Sequence, residues 1–152
     1  MTDRPHAADD SPELEDRDYV ALASFRHALR HFLAFSEEAA RAVGMTPQQH
    51  QAILAIRGLS PREGMTINDF AERMLLKQHT AVELVDRLEA AGLVRRARDA
   101  GDRRRALLTL TDRAGELLEA LSRAHLAQIG RDAPQLIEIL QRMSRKDGPA
   151  RS

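Results

Sequence analysis

Apolar positions recur at spacings of three and four along most of this chain, and the rhythm shortens to two only in one stretch near the middle. From Arg17 to Val43, the residues Leu22, Phe25, Leu29 and Phe32 fall on one stripe, which predicts a long amphipathic helix closed by Gly44. Thr46-Pro47-Gln48-Gln49 has the order of a helix start: Thr46 as N-cap, Pro47 at the first helical position, and Gln49 returning a capping-box bond. Ile53, Ile56 and Leu59 supply the apolar side of that second helix, which should end near Arg57 before the Ser60-Pro61-Arg62-Glu63-Gly64 loop. Thr66 then caps a short third helix, with Asp69 at its third position and Phe70, Ala71 and Met74 turned inward.

Between Lys77 and Ala91 the positions Ala81, Leu84, Val85 and Leu88 stand at i, i+3, i+4 and i+7, the signature of a helix with one buried face, and Gly92 follows as a left-handed C-cap. At about 100° per residue the opposite side is centred on His79, Glu83 and Asp86, with Gln78 and Val82 beside them. Two extended stretches, Val94–Arg98 and Ala106–Leu110, flank Asp99-Ala100-Gly101-Asp102-Arg103-Arg104-Arg105 and predict a hairpin with a charged tip. Thr111 caps a further helix through Ala114, Leu117, Leu118 and Leu121 to Gly130, and a last helix from Pro134 carries Leu136, Ile137, Leu140 and Met143.

The expected architecture is therefore mainly α with a small β-hairpin wing. Residues 1–16 read as a disordered acidic tail, 17–143 as a single domain and 144–152 as a polar tail. A short helix, a tight turn, a second helix and then a basic hairpin is the order of a winged helix-turn-helix, placed at 46–111. The helices at 17–43 and 112–143 carry more apolar stripe than so small a unit can cover, which predicts a homodimer.

Composition narrows the field. The 152 residues include no Cys, so disulfides, thiolate zinc sites and cysteine-based sensing are excluded. No apolar run approaches a membrane span and the first residues lack the form of a signal peptide, so the expected location is the cytoplasm. The formal net charge of +0 argues against nucleic acid until its distribution is read. Asp3, Asp9, Asp10, Glu13, Glu15 and Asp16 lie in the N-terminal tail against Arg4 alone, whereas Arg103, Arg104 and Arg105 are contiguous at the hairpin tip.

Leu84-Val85-Asp86-Arg87-Leu88-Glu89-Ala90-Ala91-Gly92-Leu93-Val94-Arg95-Arg96, then Asp102-Arg103-Arg104, then Leu108-Thr109-Leu110-Thr111 resemble the signature of the multiple-antibiotic-resistance-regulator (MarR) family of winged helix-turn-helix transcription regulators. The resemblance runs from Thr46 to about Leu121. It implies that the helix from about Gln78 to Ala91 is a recognition helix, that Asp102–Arg104 lies at the wing tip, and that the first and last two helices interlock two protomers. It implies a transcription regulator that represses or activates a nearby operon, with repression the expected mode, on a pseudo-palindromic duplex, relieved in many members by a small and often aromatic effector. The DNA-binding candidates are Lys77, Gln78, His79, Thr80, Glu83, Arg103 and Arg104, with Asp102 orienting Arg104. Relatives often have Ser at the start of the recognition helix; Lys77 stands there in this chain and has no acceptor with which to cap it, but suits a phosphate. Glu83 has two readings, an acceptor for a cytosine amino group or a solvated acid, and Asp86 is expected to pair with a neighbouring Arg.

Phe32, Phe35 and His50 are candidate effector-lining residues, although aromatic residues at helical spacing also suit a core or a dimer seam. His27 and His31 share a helix face, but with no adjacent acidic pair no metal or other cofactor is expected. Neither a phosphate loop nor a nucleophile elbow is present, and no enzyme is expected. Two rivals to the regulator remain: a winged helix that binds protein through the same face, and a metal-responsive regulator using His27 and His31.

Overall fold

The computed structural model describes residues 13–59, 64–98, 100–102 and 104–144. Residues 1–12 and 145–152 of the expected tails, most of the Ser60–Gly64 loop, Asp99 and Arg103 lie outside the described residues, whereas Asp16 and Ser144, expected in the tails, belong to helices. The elements in chain order are α1 (Asp16–Ala42), α2 (Pro47–Leu59), β1 (Met65–Thr66), α3 (Ile67–Arg73), α4 (Gln78–Ala90), β2 (Val94–Arg98), β3 (Ala106–Leu110) and α5 (Asp112–Ser144). Two compact units divide the chain, one of Phe32–Arg131 and the other of Met1–His31 with Asp132–Ser152.

The Phe32–Arg131 unit is built around Phe70, Ile53, Ile56, Leu84, Leu88, Leu108, Val85 and Val94, all fully buried. Its local structure follows the start and stop signals in the sequence. Gln49 N donates to Thr46 Oγ1 at 3.1 Å and Thr46 N to Gln49 Oε1 at 2.9 Å, closing both halves of the capping box that begins α2. Thr66 Oγ1 accepts from Asp69 N at 3.2 Å and caps α3. Gly44 and Gly92 take φ values of 78° and 71°, the left-handed region in which a helix stops.

The sheet is antiparallel in the order β1-β3-β2, with Met65 opposite Leu108 and Val94 opposite Leu110. β1 is the strand that periodicity did not predict, since two residues carry no period. Gly64 makes its approach to β3 feasible: φ is 87°, and a Cβ there would lie 3.0 Å from Leu107 Cβ and Leu108 O. Along β2, Val94 is buried and Arg96 half-buried on one face, while Arg95 and Arg98 are exposed.

Thr111 joins three elements. Its amide donates to Leu93 O at 3.1 Å, its hydroxyl donates to Gly92 O at 2.7 Å, and the same oxygen accepts from Ala114 N at 3.2 Å to cap α5. The expected break between Gly130 and Pro134 does not occur, for α5 continues through both. A proline ring in a helix removes one backbone donor and crowds the carbonyl four residues earlier, here that of Gly130.

In the other unit Ala21 and Ile139 are buried, whereas Tyr19, Val20, Leu22, Leu29, Ile137 and Leu140 are exposed. Among the described residues no helix is long and apolar enough to cross a membrane.

Candidate nucleic-acid interface

The phase of α4 determines what this region presents to solvent. Ala81, Leu84, Val85 and Leu88 are buried, as their spacing predicts, and the opposite side displays Gln78, His79, Glu83 and Asp86. Thr80 and Val82 are half-buried at its edge. Lys77 is the N-cap residue, with extended backbone (φ −69°, ψ 153°) and no side-chain capping bond. The first amides of α4 are thus left without a side-chain acceptor beside an exposed ammonium group.

Acids on this surface repel phosphate unless they are paired, and the fold pairs two of them. Arg96 reaches from β2 to α4, where its guanidinium donates to Asp86 Oδ1 at 2.5 Å and to Glu89 Oε2. The hydrogen bond to Asp86, reinforced by both carboxylate charges, holds Arg96 above the ordinary arginine range against the opposing effect of burial. The arginine expected beside Asp86 is therefore Arg96, and it also serves Glu89. Among the described residues Glu83 makes no salt bridge.

At the hairpin tip Asp102 acts through the backbone. Its Oδ1 accepts from Arg104 N at 2.9 Å and its carbonyl from Arg105 N at 3.0 Å, fixing the turn and leaving the Arg104 and Arg105 side chains exposed. Arg103 lies outside the described residues.

Phe32, Phe35 and His50 converge, but on a residue that the sequence did not single out. The His125 ring lies 5.9 Å from Phe32, 5.3 Å from Phe35 and 4.8 Å from His50, centroid to centroid. Its Nδ1 is 2.6 Å from Leu121 O, which can only accept, so Nδ1 carries a proton; Nε2 lies 2.8 Å from the Ser36 hydroxyl. His50 is 3% exposed, and its Nδ1 is buried with no hydrogen-bond partner. Burial, and secondarily His125, pushes the His50 imidazole below its ordinary value. A separate surface cleft of about 720 Å³, lined by Leu54, Arg57, Leu110, Asp112, Glu116 and Ser122 among others, includes none of these rings. The His27 and His31 rings are 6.5 Å apart, and among the described residues no group of three or more His, Cys, Asp or Glu is placed to hold a metal ion.

Residues 43–105, which run from the end of α1 through α4 to the hairpin tip, match the family model described as MarR family. The matched segment is similar to the MarR-family winged helix. The chain is 36% identical over 95 residues to the HTH-type transcriptional regulator TtmR of Methylorubrum extorquens, covering 62% of this chain and 44% of that one. To the transcriptional activatory protein BadR of Rhodopseudomonas palustris it is 27% identical over 158 residues, covering 95% and 89%. It therefore spans less than half the length of TtmR and most of BadR. The solved structure of AbsC, a MarR family transcriptional regulator from Streptomyces coelicolor, superposes with a TM-score of 0.67 at 24% identity, covering 91% of this chain and 95% of that one. A MepR–DNA complex from S. aureus superposes at 0.64 with 21% identity, covering 88% and 93%. These likenesses establish the MarR fold beyond the matched segment. Within the MarR-type winged helix, the uncapped Lys77 and the Arg96 bridge are the local features that give α4 its present surface.

Proposed function

We propose that this chain is a sequence-specific DNA-binding transcription regulator that acts in the cytoplasm as a homodimer on a pseudo-palindromic duplex. The observation that carries the reading is the two-sidedness of α4: one face seals the core, while the other offers Gln78, His79 and Glu83 with the neighbouring acids masked by Arg96. In this reading α4 enters the major groove, Lys77 and Thr80 meet phosphate, and Glu83 accepts from an exocyclic amino group of a base. Arg103 and Arg104 follow the backbone from the wing, with Asp102 holding the amide of Arg104. The MepR–DNA complex, of like fold, supports DNA as the ligand, and the exposed apolar residues of α1 and α5 support a two-fold partner.

Repression relieved by a small aromatic effector is the regulatory mode we favour. What supports it is the ring cluster of Phe32, Phe35, His50 and His125, which joins apolar edges to a buried nitrogen lacking a partner.

The test is fluorescence anisotropy of the purified protein with duplex DNA flanking its own gene, titrated across salt beside a scrambled duplex. Tighter binding to the native duplex, weakening steeply as salt rises, supports the regulator. A folded dimer that binds no duplex at low salt would replace it with a protein-binding winged helix. Release of bound DNA by small aromatic acids, abolished in His50→Leu, tests the effector site.

A further inference from the structure

We propose that Leu75 makes an apolar contact with the DNA backbone, held outward by a strained turn just before the recognition helix. The proposal rests on the DNA-binding reading above. α3 ends with Leu75 N donating to Glu72 O at 3.1 Å and Leu76 N to Ala71 O at 2.8 Å, the two bonds of a Schellman motif. That motif needs a left-handed residue, ordinarily Gly, and Leu75 fills the position at φ 53°. A side chain there crowds the backbone, so the conformation is unfavourable for leucine.

Packing gives nothing in return. Leu75 is 92% exposed, more than any other large apolar residue described, while Met74 and Leu76 on either side pack against the core. Backbone preference and solvation thus both oppose leucine at this position, a local conflict of the kind that marks functional sites.

Its surroundings indicate the ligand. Arg73 and Lys77, both exposed, stand two residues away on either side, and α4 begins at Gln78. An apolar tip between two cations matches the edge of a duplex, where phosphates alternate with the C–H surface of deoxyribose.

The experiment compares Leu75→Gly, Leu75→Asn and Leu75→Met with wild type, using the tightest duplex that the wild-type dimer retains from a random-sequence pool. Gly and Asn both tolerate the left-handed conformation, and Met keeps the apolar reach. Gly and Asn should bind about five- to tenfold more weakly, as expected for losing a half-buried leucine. The salt slope should be unchanged, because an apolar contact releases no counterions. Met should bind within about twofold of wild type on the same reasoning, and the midpoint of thermal unfolding of Gly should be no lower than that of wild type. Equal affinity of all four proteins would overturn the proposal, as would a loss confined to Gly, which would assign the effect to turn flexibility. Failure of the wild-type dimer to retain any duplex would overturn the DNA-binding reading itself, an outcome distinct from equal affinities.

Discussion

Replacing Arg96 with Met keeps most of the apolar stem and removes the fork that meets Asp86 and Glu89, so it separates two tasks of one side chain. The first is stability. The side chains of Arg96, Asp86 and Glu89 are 27%, 59% and 41% exposed, so solvent screens both pairs and together they contribute roughly 1–2 kcal/mol. The second is concealment of negative charge from DNA. A bare carboxylate about 8 Å from a phosphate in water repels it by roughly 0.5 kcal/mol. Two carboxylates, each facing two phosphates and screened by about half at 0.1 M salt, weaken binding by about 1 kcal/mol, or about fivefold. Urea unfolding and anisotropy titrations across salt measure the two effects. The triple variant Asp86→Asn, Glu89→Gln, Arg96→Met should recover the affinity without recovering the stability. If Arg96→Met loses stability yet binds duplex as wild type at low salt, or if the triple variant stays weak, the charge-masking argument fails.

Leu84→Ala or Leu88→Ala should destabilise the fold by about 2–5 kcal/mol in urea unfolding, because each removes a fully buried side chain and leaves a cavity. A neutral result would place α4 in the wrong phase. The double substitution Arg103→Ala, Arg104→Ala should weaken binding to all duplexes and reduce the salt slope by about two, with the dimer intact in analytical ultracentrifugation. Folding holds the His50 imidazole neutral where the unfolded chain takes up a proton. Stability should therefore fall as the pH drops through about 6.5 and level off only below the folded value, and His50→Leu should lose that part of the slope. An identical slope in the variant, followed by urea midpoints between about pH 5.5 and 8, would assign it to other groups.

Legibility followed the range of the interaction. The phase of α4 was readable because Ala81, Leu84, Val85 and Leu88 repeat within one helix, and the capping box of α2 because its two partners, Thr46 and Gln49, are three residues apart. His125 was invisible for the opposite reason: it meets Ser36 from 89 positions away, and no local pattern marks it. Arg96 was half-legible, since Asp86 called for a cation but several arginines lay within reach. Gly130 and Pro134 are ordinary stop signals, yet α5 runs through both, so here local breaker signals did not decide the helix end. Leu75 gave no signal at all; Met74-Leu75-Leu76 reads as uniform apolar filling until φ shows the middle residue turned out.

Two of the three bonds of Thr111, to Gly92 O and Leu93 O, leave little mechanical slack between α5 and the far end of α4. Displacing the first turn of α5 must either break them or drag Gly92 and Leu93 along. A single threonine therefore ties the start of a long helix to the turn that ends α4. Thr111→Val would remove the bond to Gly92 O and the α5 cap while leaving the amide bond to Leu93 O, halving the hydrogen bonds through which this residue joins the two helices.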